Sequence, residues 1–394
     1  MNVAAAPRHS FMVIAGKRTD HLAWLDEAAK DGKGVRWMSR RELCVFDPGL
    51  ARSVLRNEIG GIARHSDFFG PLGAAFGPRE EQILLAREAH ALLQAHRRTL
   101  DIPAFVGRLE RRSLWPRAGY LLLLEMMRPL LAAPGRSPAF HGALDRLVAN
   151  GILARFDRPA GPIRRSINRF RFANAVVREA ADATPGEPRR DILELLAARG
   201  HKMGDEMLVH LYAAFVFSVV SSVGLTLAWS LLLAIRHGRT SAPPRHIVQE
   251  ALRLYPITWL LERNAEREIE IGGERVGPSC AIVVSPYALH RNALHWPEPD
   301  RFLPERWSGR IDRRAWMPFG AGSQSCVAAS LSIDLAADAL AALLAVPVAI
   351  EAADERPSIG AALAPGRFTL LRGQGSGEQA EAEEQQAEER DGNA

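Results

Sequence analysis

Met317-Pro318-Phe319-Gly320-Ala321-Gly322-Ser323-Gln324-Ser325-Cys326-Val327-Ala328-Ala329 decides how the rest of this chain is read. Gly320 and Gly322 allow a loop to turn tightly against something flat, and a single cysteine follows. An uncharged helical start, Val327-Ala328-Ala329-Ser330-Leu331, comes directly after it. A cysteine just ahead of a helix lies in the positive end of the helix dipole, which favours thiolate over thiol and makes a soft-metal ligand. With no second Cys or His at metal spacing, one thiolate suits haem iron better than zinc.

Phe319-Gly320-x-Gly322-x-x-x-Cys326 resembles the haem loop of the cytochrome P-450 family, whose cysteine is the axial ligand of haem iron. The resemblance implies that Cys326 is the metal ligand and that Pro318, Phe319, Gly320, Gln324, Val327 and Ala328 contact haem b. A structural cysteine buried behind a glycine turn is the alternative reading. The loop departs from the family twice. Gln324 stands where Arg or His usually meets a propionate, and Ala328 stands where a glycine usually lets the next helix approach the porphyrin.

Upstream lies Glu250-Ala251-Leu252-Arg253, whose charges share one helix face at i, i+3 and can pair. Pro256 stops that helix, Ile269 to Val276 reads as a hairpin across Gly272-Gly273, and Ala281 to Ser285 as a buried strand. Tyr287-Ala288-Leu289-His290-Arg291 and then Trp296-Pro297-Glu298-Pro299-Asp300-Arg301-Phe302-Leu303-Pro304-Glu305-Arg306-Trp307 follow. This order, E-x-x-R, proline-rich meander, cysteine loop, resembles the family closely from residue 245 to 345. It implies that Glu250, Arg253 and Arg306 form a buried ion triad locking the meander beneath the haem, a device that fixes geometry more surely than it adds net stability. It also implies that Arg263 reaches a propionate, and that Ile257, Thr258, Trp259 and Leu260 wall the substrate pocket.

Met207 to Ile235 contains no Asp, Glu, Lys or Arg, which by length alone is a transmembrane candidate. Ser218, Ser221, Ser222, Gly224 and Thr226 in mid-span favour the other reading, the central helix of a large soluble protein, roughly 40 Å long. The family has such a helix over the distal haem face, bent where an acid-alcohol pair relays protons. Aligning on Leu227-Ala228-Trp229 places Ser221 and Ser222 at that pair, with Ser218 and Val219 where small residues leave room for oxygen. Ser222 can donate a hydrogen bond as a threonine would, whereas Ser221 cannot replace a carboxylate. The alternative is that these serines bond back to the preceding turn.

Earlier in the chain the resemblance is weaker. Arg36 to Phe46 reads as a short strand, and Asp47-Pro48-Gly49 opens a helix to Leu55. His65 to Phe76 reads as an aromatic-plugged loop, which in the family roofs the substrate pocket and makes Phe68, Phe69, Leu72 and Phe76 candidate contacts. Glu80 to Leu100 is helical. The family often carries His-x-x-x-Arg there, reaching a propionate, and this chain has His90 and then Gln94. Either His96 or Arg97 substitutes, or fewer charges hold the propionate. Leu109 to Ala154 and Gly161 to Ala183 read as several short helices in which Arg164, Arg165, Arg169 and Arg171 form a solvated face. The link from Arg236 to Arg245 is too short for a helix that family members usually carry.

At 394 residues and 47% hydrophobic the chain can bury a deep core. The reading is a single haem-thiolate domain over 1–372 and an acidic disordered tail over 373–394, where seven acidic residues lack apolar periodicity. Three distant cysteines fit a reducing compartment. The net charge of +5 is scattered and aromatics are 7%, which argues against nucleic acid and for an acidic protein partner. No N-terminal apolar run suggests a signal peptide or anchor, so a cytoplasmic protein with no membrane span is expected. The fold expected from the resemblance is mainly α with minor β, haem lying between a long distal helix and the proximal cysteine loop. The implied activity is a monooxygenase, inserting one oxygen atom from O2 into a C-H or C=C bond of a small, mostly apolar substrate of the secondary-metabolite kind. Electrons come from NAD(P)H through an external ferredoxin or flavodoxin, and a carrier protein is a further candidate partner. The missing acid equally permits a peroxide-driven reaction or a rearrangement or dehydration, and the altered propionate positions permit a catalytically degenerate, partner-binding member.

Overall fold

The computed structural model describes residues 21–30, 33–63, 77–156, 161–183, 186, 188–200, 203–238, 241–322, 325–354 and 356–373. Helix α1 (His21–Lys30) precedes a hairpin of β1 (Val35–Ser39) and β2 (Glu42–Val45), where the sequence suggested one strand. The turn falls at Arg40-Arg41, which interrupt the apolar run. Next come α2 (Pro48–Arg56), α3 (Arg79–Arg97), α4 (Ile102–Gly107), β3 (Arg112–Trp115), α5 (Arg117–Leu131), α6 (Pro138–Leu147), α7 (Pro162–Ala181) and α8 (Ile192–Ala197). The long apolar run forms α9 (Asp205–Val216), a π-helical turn at Phe217–Ser222 and α10 (Val223–Arg236). After α11 (Pro244–Leu254) the chain makes β4 (Leu261–Asn264), β5 (Ile269–Ile271), β6 (Glu274–Val276), β7 (Ala281–Val284) and the short α12 (Pro286–Leu289). α13 (Ala329–Leu344) begins just past Cys326 and leads to β8 (Val348–Ala353), β9 (Ser358–Ile359), β10 (Leu363–Ala364) and β11 (Phe368–Arg372).

Local signals account for the element ends. The Asp47 carboxylate caps α2 by accepting the Leu50 amide at 2.8 Å, Pro48 fills the first turn, and Asn57 ends the helix in the left-handed conformation. Among the described residues no helix lies between α10 and α11, in keeping with the short link.

The rod from Asp205 to Arg236 is 32 residues, and its most apolar 18-residue window has mean hydropathy 2.0, enough by length and composition to cross a bilayer. It is instead a core element: 78% of its most apolar window is buried, and every residue from Val223 to Ala234 is buried. Thr226 and Ser230 place their hydroxyls on the carbonyls of Ser222 and Thr226, at 2.9 and 2.7 Å, so both buried hydroxyls are satisfied within the rod. α5 crosses this rod where two glycines meet. A Cβ on Gly224 would lie 2.8 Å from Tyr120 Cδ1, and one on Gly119 would lie 3.2 Å from the Gly224 carbonyl oxygen. Backbones approach there as only glycine permits.

The largest sheet runs β1-β2-β7-β4, with β2 and β7 parallel and the other pairs antiparallel. A second, antiparallel sheet runs β3-β11-β8. α13 packs on α10 and α11, so the segment after Cys326 is fixed against the central rod.

Candidate functional site

The cysteine loop is held by its own backbone. Gly320 and Gly322 adopt φ of +73° and +74°, the Gly320 amide donates to Met317 O at 3.1 Å, and the Cys326 amide donates to Phe319 O at 3.0 Å. A Cβ on Gly322 would lie 2.7 Å from Arg56 Cγ, so α2 packs directly on the loop. Cys326 and Val327 are exposed, Val327 by 60%, although α13 beyond them is largely buried. Desolvation nonetheless raises the Cys326 thiol above its ordinary pKa, partly offset by the Ala328 amide. This desolvation works against the helix dipole expected to favour the thiolate, and a coordinated cation would favour it.

Beneath the loop the structure brings Glu250, Arg253 and Arg306 together. Glu250 and Arg253 are fully buried; their fork contacts measure 2.8 and 3.0 Å, and Arg306 Nε reaches Glu250 Oε1 at 3.1 Å. Arg253 then donates to the carbonyls of His290, Pro299 and Arg301 at 2.8, 2.6 and 2.9 Å. Glu250 also accepts the Leu303 amide at 3.0 Å and the Trp307 indole at 2.9 Å. A buried carboxylate with four donor groups, two of them cations, is one of the few ways such a charge is tolerated.

Two members of this cluster escaped the sequence reading. Trp307 is one, and His290 is the other: its Nδ1 lies 3.1 Å from Arg253 O, and its Nε2 accepts the Met317 amide at 2.8 Å. A histidine next to an arginine carries no burial signal, and only the order Leu289-His290-Arg291 before the meander pointed here.

The central rod is open at the π-helical turn. Phe217, Ser218 and Ser222 are exposed and Ser221 is half-buried, although α10 on one side of the turn is buried from Val223 to Ala234. Among the described residues the hydroxyls of Ser218, Ser221 and Ser222 form no hydrogen bond, unlike those of Thr226 and Ser230. The back-bonding alternative therefore applies further along the rod than the three serines. π-turns of this kind often mark functional sites. Val219 lies on the other side, among core residues, where the π-turn directs it away from the open face.

The other expected contacts divide. On α3, Gln94 is half-buried, and so is His90, whose Nδ1 is buried without a partner among the described residues. His96 and Arg97 are committed elsewhere, His96 to Met126 O at 2.8 Å and Arg97 to Asp338 at 2.6 Å, so neither substitutes for the missing cation. Arg263 is buried on β4, with Nη1 on Glu262 O at 2.7 Å. In the run after Pro256, Ile257 and Trp259 pack into the core, and the Trp259 indole is tied to Gly360 O at 2.9 Å. Leu260 is half-buried and Thr258 is the exposed member. Pro318 is buried, while Phe319, Gly320 and Ala328 are half-buried. Phe68, Phe69, Leu72, Phe76 and Gln324 lie outside the described residues, as does the tail beyond 373.

A haem fits these donors. Cys326 supplies one exposed soft ligand with the exposed apolar Val327 beside it, and the orphaned His90 Nδ1 with buried Arg263 could meet anionic side groups. Among the described residues no cluster of three or more His, Cys, Asp or Glu could hold a metal by itself.

The family model described as Cytochrome P450 matches residues 245–334. The chain is 27% identical over 241 residues to cyclooctatin synthase of Streptomyces melanosporofaciens, covering 52% of this chain and 51% of that one. It is 29% identical over 231 residues to cyclooctat-9-en-7-ol 5-monooxygenase of the same organism, covering 48% and 50%. The chain thus spans about half the length of the curated relatives it matches. Among solved structures, a 6-coordinated cytochrome P450 from Thermus thermophilus aligns with a TM-score of 0.66 at 20% identity, covering 90% of this chain and 99% of that one. A mutant of P450 EryK in complex with erythromycin B aligns at 0.67 and 18%, covering 91% and 97%.

Proposed function

Since the chain belongs to the cytochrome P450 family, we propose that it is a haem-thiolate monooxygenase of a small, mostly apolar substrate. Cys326, exposed just ahead of α13 with its amide on Phe319 O and positive-φ glycines at 320 and 322 before it, carries this reading. When bound, haem supplies dioxygen activation, with the thiolate donating electron density that favours O-O cleavage. The protein's own residues do the rest. The triad and the loop hold the sulfur in place, Ser222 offers a hydroxyl free to hold a proton-donating hydrogen bond in the cleft, and the core around α10 excludes water. His90 and Arg263 would hold the propionates, while the run from Ile257 to Leu260 would line the substrate side. One Streptomyces relative is named as a 5-monooxygenase of cyclooctat-9-en-7-ol. By analogy, a cyclic, largely apolar alkenol is the substrate class to try here.

A basic face stands beside the loop and fits an acidic ferredoxin or flavodoxin. Arg52 donates to the carbonyls of Arg313 and Arg314 at 3.0 and 3.1 Å, and Arg56 covers Gly322. The soluble, cytoplasmic assignment and the single-domain reading over 1–372 belong to this proposal too. The test is turnover of a panel of cyclic alkenols with NADPH, a ferredoxin pair and isotopically heavy dioxygen. One heavy oxygen in the product supports the proposal, and oxygenated product carrying no heavy oxygen contradicts it.

Ser221 in place of an acid favours a second reading, a peroxide-driven reaction without a redox pair. Product formed with hydrogen peroxide alone, and none with the ferredoxin pair, would select it.

A further inference from the structure

Hydrogen-bond logic fixes the state of His290. A backbone N-H can only donate, so Nε2, which receives the Met317 amide at 2.8 Å, carries no proton. A carbonyl can only accept, so Nδ1, 3.1 Å from Arg253 O, carries it. The ring is neutral in one tautomer, fully buried, and edge-on to Trp296. Arg253 returns the bond by donating Nη1 to the His290 carbonyl at 2.8 Å. Two residues 37 apart in sequence therefore clasp each other through both backbone and side chain. The far end of the clasp is Met317, whose carbonyl takes the Gly320 amide and which begins the loop whose Phe319 carbonyl takes the Cys326 amide. A continuous chain of bonds runs from Glu250 through Arg253 and His290 to the cysteine loop.

We propose that His290 is a positioning residue for Cys326: through Nε2 it sets the height of the cysteine loop relative to the E-x-x-R helix, and so keeps the sulfur where it can remain an anionic ligand. The inference rests on the haem-thiolate reading above. Among the described residues Nε2 is the side-chain acceptor for the Met317 amide, and a leucine or phenylalanine at 290 would leave that buried N-H unpaired.

Two near-isosteres separate the ends of the ring. His290→Gln extends a carbonyl to the Nε2 position and keeps the acceptor for Met317. His290→Asn stops at the Nδ1 position, keeps a donor for Arg253 O and leaves the Met317 amide bare. The experiment purifies both with haem, measures their melting temperatures, and follows the carbon monoxide complex of the reduced protein over time. The thiolate-type Soret band should persist in H290Q and convert about tenfold faster in H290N to the short-wavelength form, at a comparable loss of melting temperature. Equal conversion rates in the two variants, or melting losses with no change in the band, would overturn the proposal and leave a merely structural histidine. If H290N yields no holoprotein, H290Q decides alone, by keeping the band or losing it. A wild-type protein with no thiolate-type band fails differently, because it removes the haem-thiolate reading itself.

Discussion

Glu250 Oε1 lies 2.8 Å from Arg253 Nη2 and 3.1 Å from Arg306 Nε, so one carboxylate oxygen is shared by two guanidinium groups in the interior. Taking one partner away leaves uncompensated buried charge, whose cost is about 3–5 kcal/mol. Glu250→Ala should therefore lower stability by that amount and reduce haem retention on gel filtration. The exposed pair Arg112 with Glu351, at 2.8 Å with side chains 68% and 40% exposed, provides the contrast. Glu351→Ala should cost under ~1 kcal/mol. Equal losses for the two variants would contradict the account.

Ser222 is exposed on the π-helical turn with a hydroxyl that bonds no neighbour among the described residues, so its removal should leave the fold alone. Ser222→Ala is expected to keep the melting temperature within a degree or so of wild type, in line with the small effect of substitutions away from packing. It should raise peroxide release per NADPH consumed several-fold. Unchanged coupling would remove Ser222 from the proton path.

The Gly119–Gly224 crossing gives a prediction in which two effects oppose. Alanine at 224 gains about 1 kcal/mol of helix propensity but overpacks at a typical cost of about 1–3 kcal/mol. The new methyl would sit 2.8 Å from the Tyr120 ring and 3.3 Å from the Tyr120 backbone nitrogen, which cannot move without shifting α5. Overpacking wins, and Gly224→Ala should destabilise by about 1 kcal/mol in urea unfolding. A stabilised variant would mean that the two helices are further apart.

His290 sets an acid limit. Burial first, and then the Arg253 charge, push its pKa down from 6.5 to about 3. Below about 6.5 the unfolded chain takes up a proton that the native state refuses, so stability falls with pH until the native ring also protonates near 3. The stability advantage of wild type over His290→Gln should shrink by ~1.4 kcal/mol per unit as the pH falls from about 6 to about 4. A difference that stays constant with pH would show that the buried ring titrates normally.

How far the sequence carried depended on whether local spacing or tertiary packing decided each feature. The cysteine loop, the E-x-x-R helix and the meander were legible because turns and short helices demand Gly, Pro and paired charges at fixed offsets. The charge-free run was legible as a long helix, but its π-helical turn was not, because Phe217 to Ser222 differ little from an ordinary helical stretch. The sequence did not show that Trp259, expected at the pocket wall, is buried and tied to Gly360 O while Thr258 beside it is exposed, because that alternation depends on the register of an extended run. The desolvation of the Cys326 thiol was hidden for a related reason, since a helix dipole is visible in sequence and desolvation is not. His96 and Arg97 looked available as cations, yet their partners Met126 and Asp338 are 30 and 241 residues away.

The central claim is that Cys326 binds haem iron as a thiolate. The direct measurement is the visible spectrum of the purified protein, reduced with dithionite and exposed to carbon monoxide, beside Cys326→Ala. The account predicts a Soret band at the long wavelength from which the family takes its name, abolished in the variant. Absence of haem from the wild type, or a band that the substitution leaves unchanged, would contradict it.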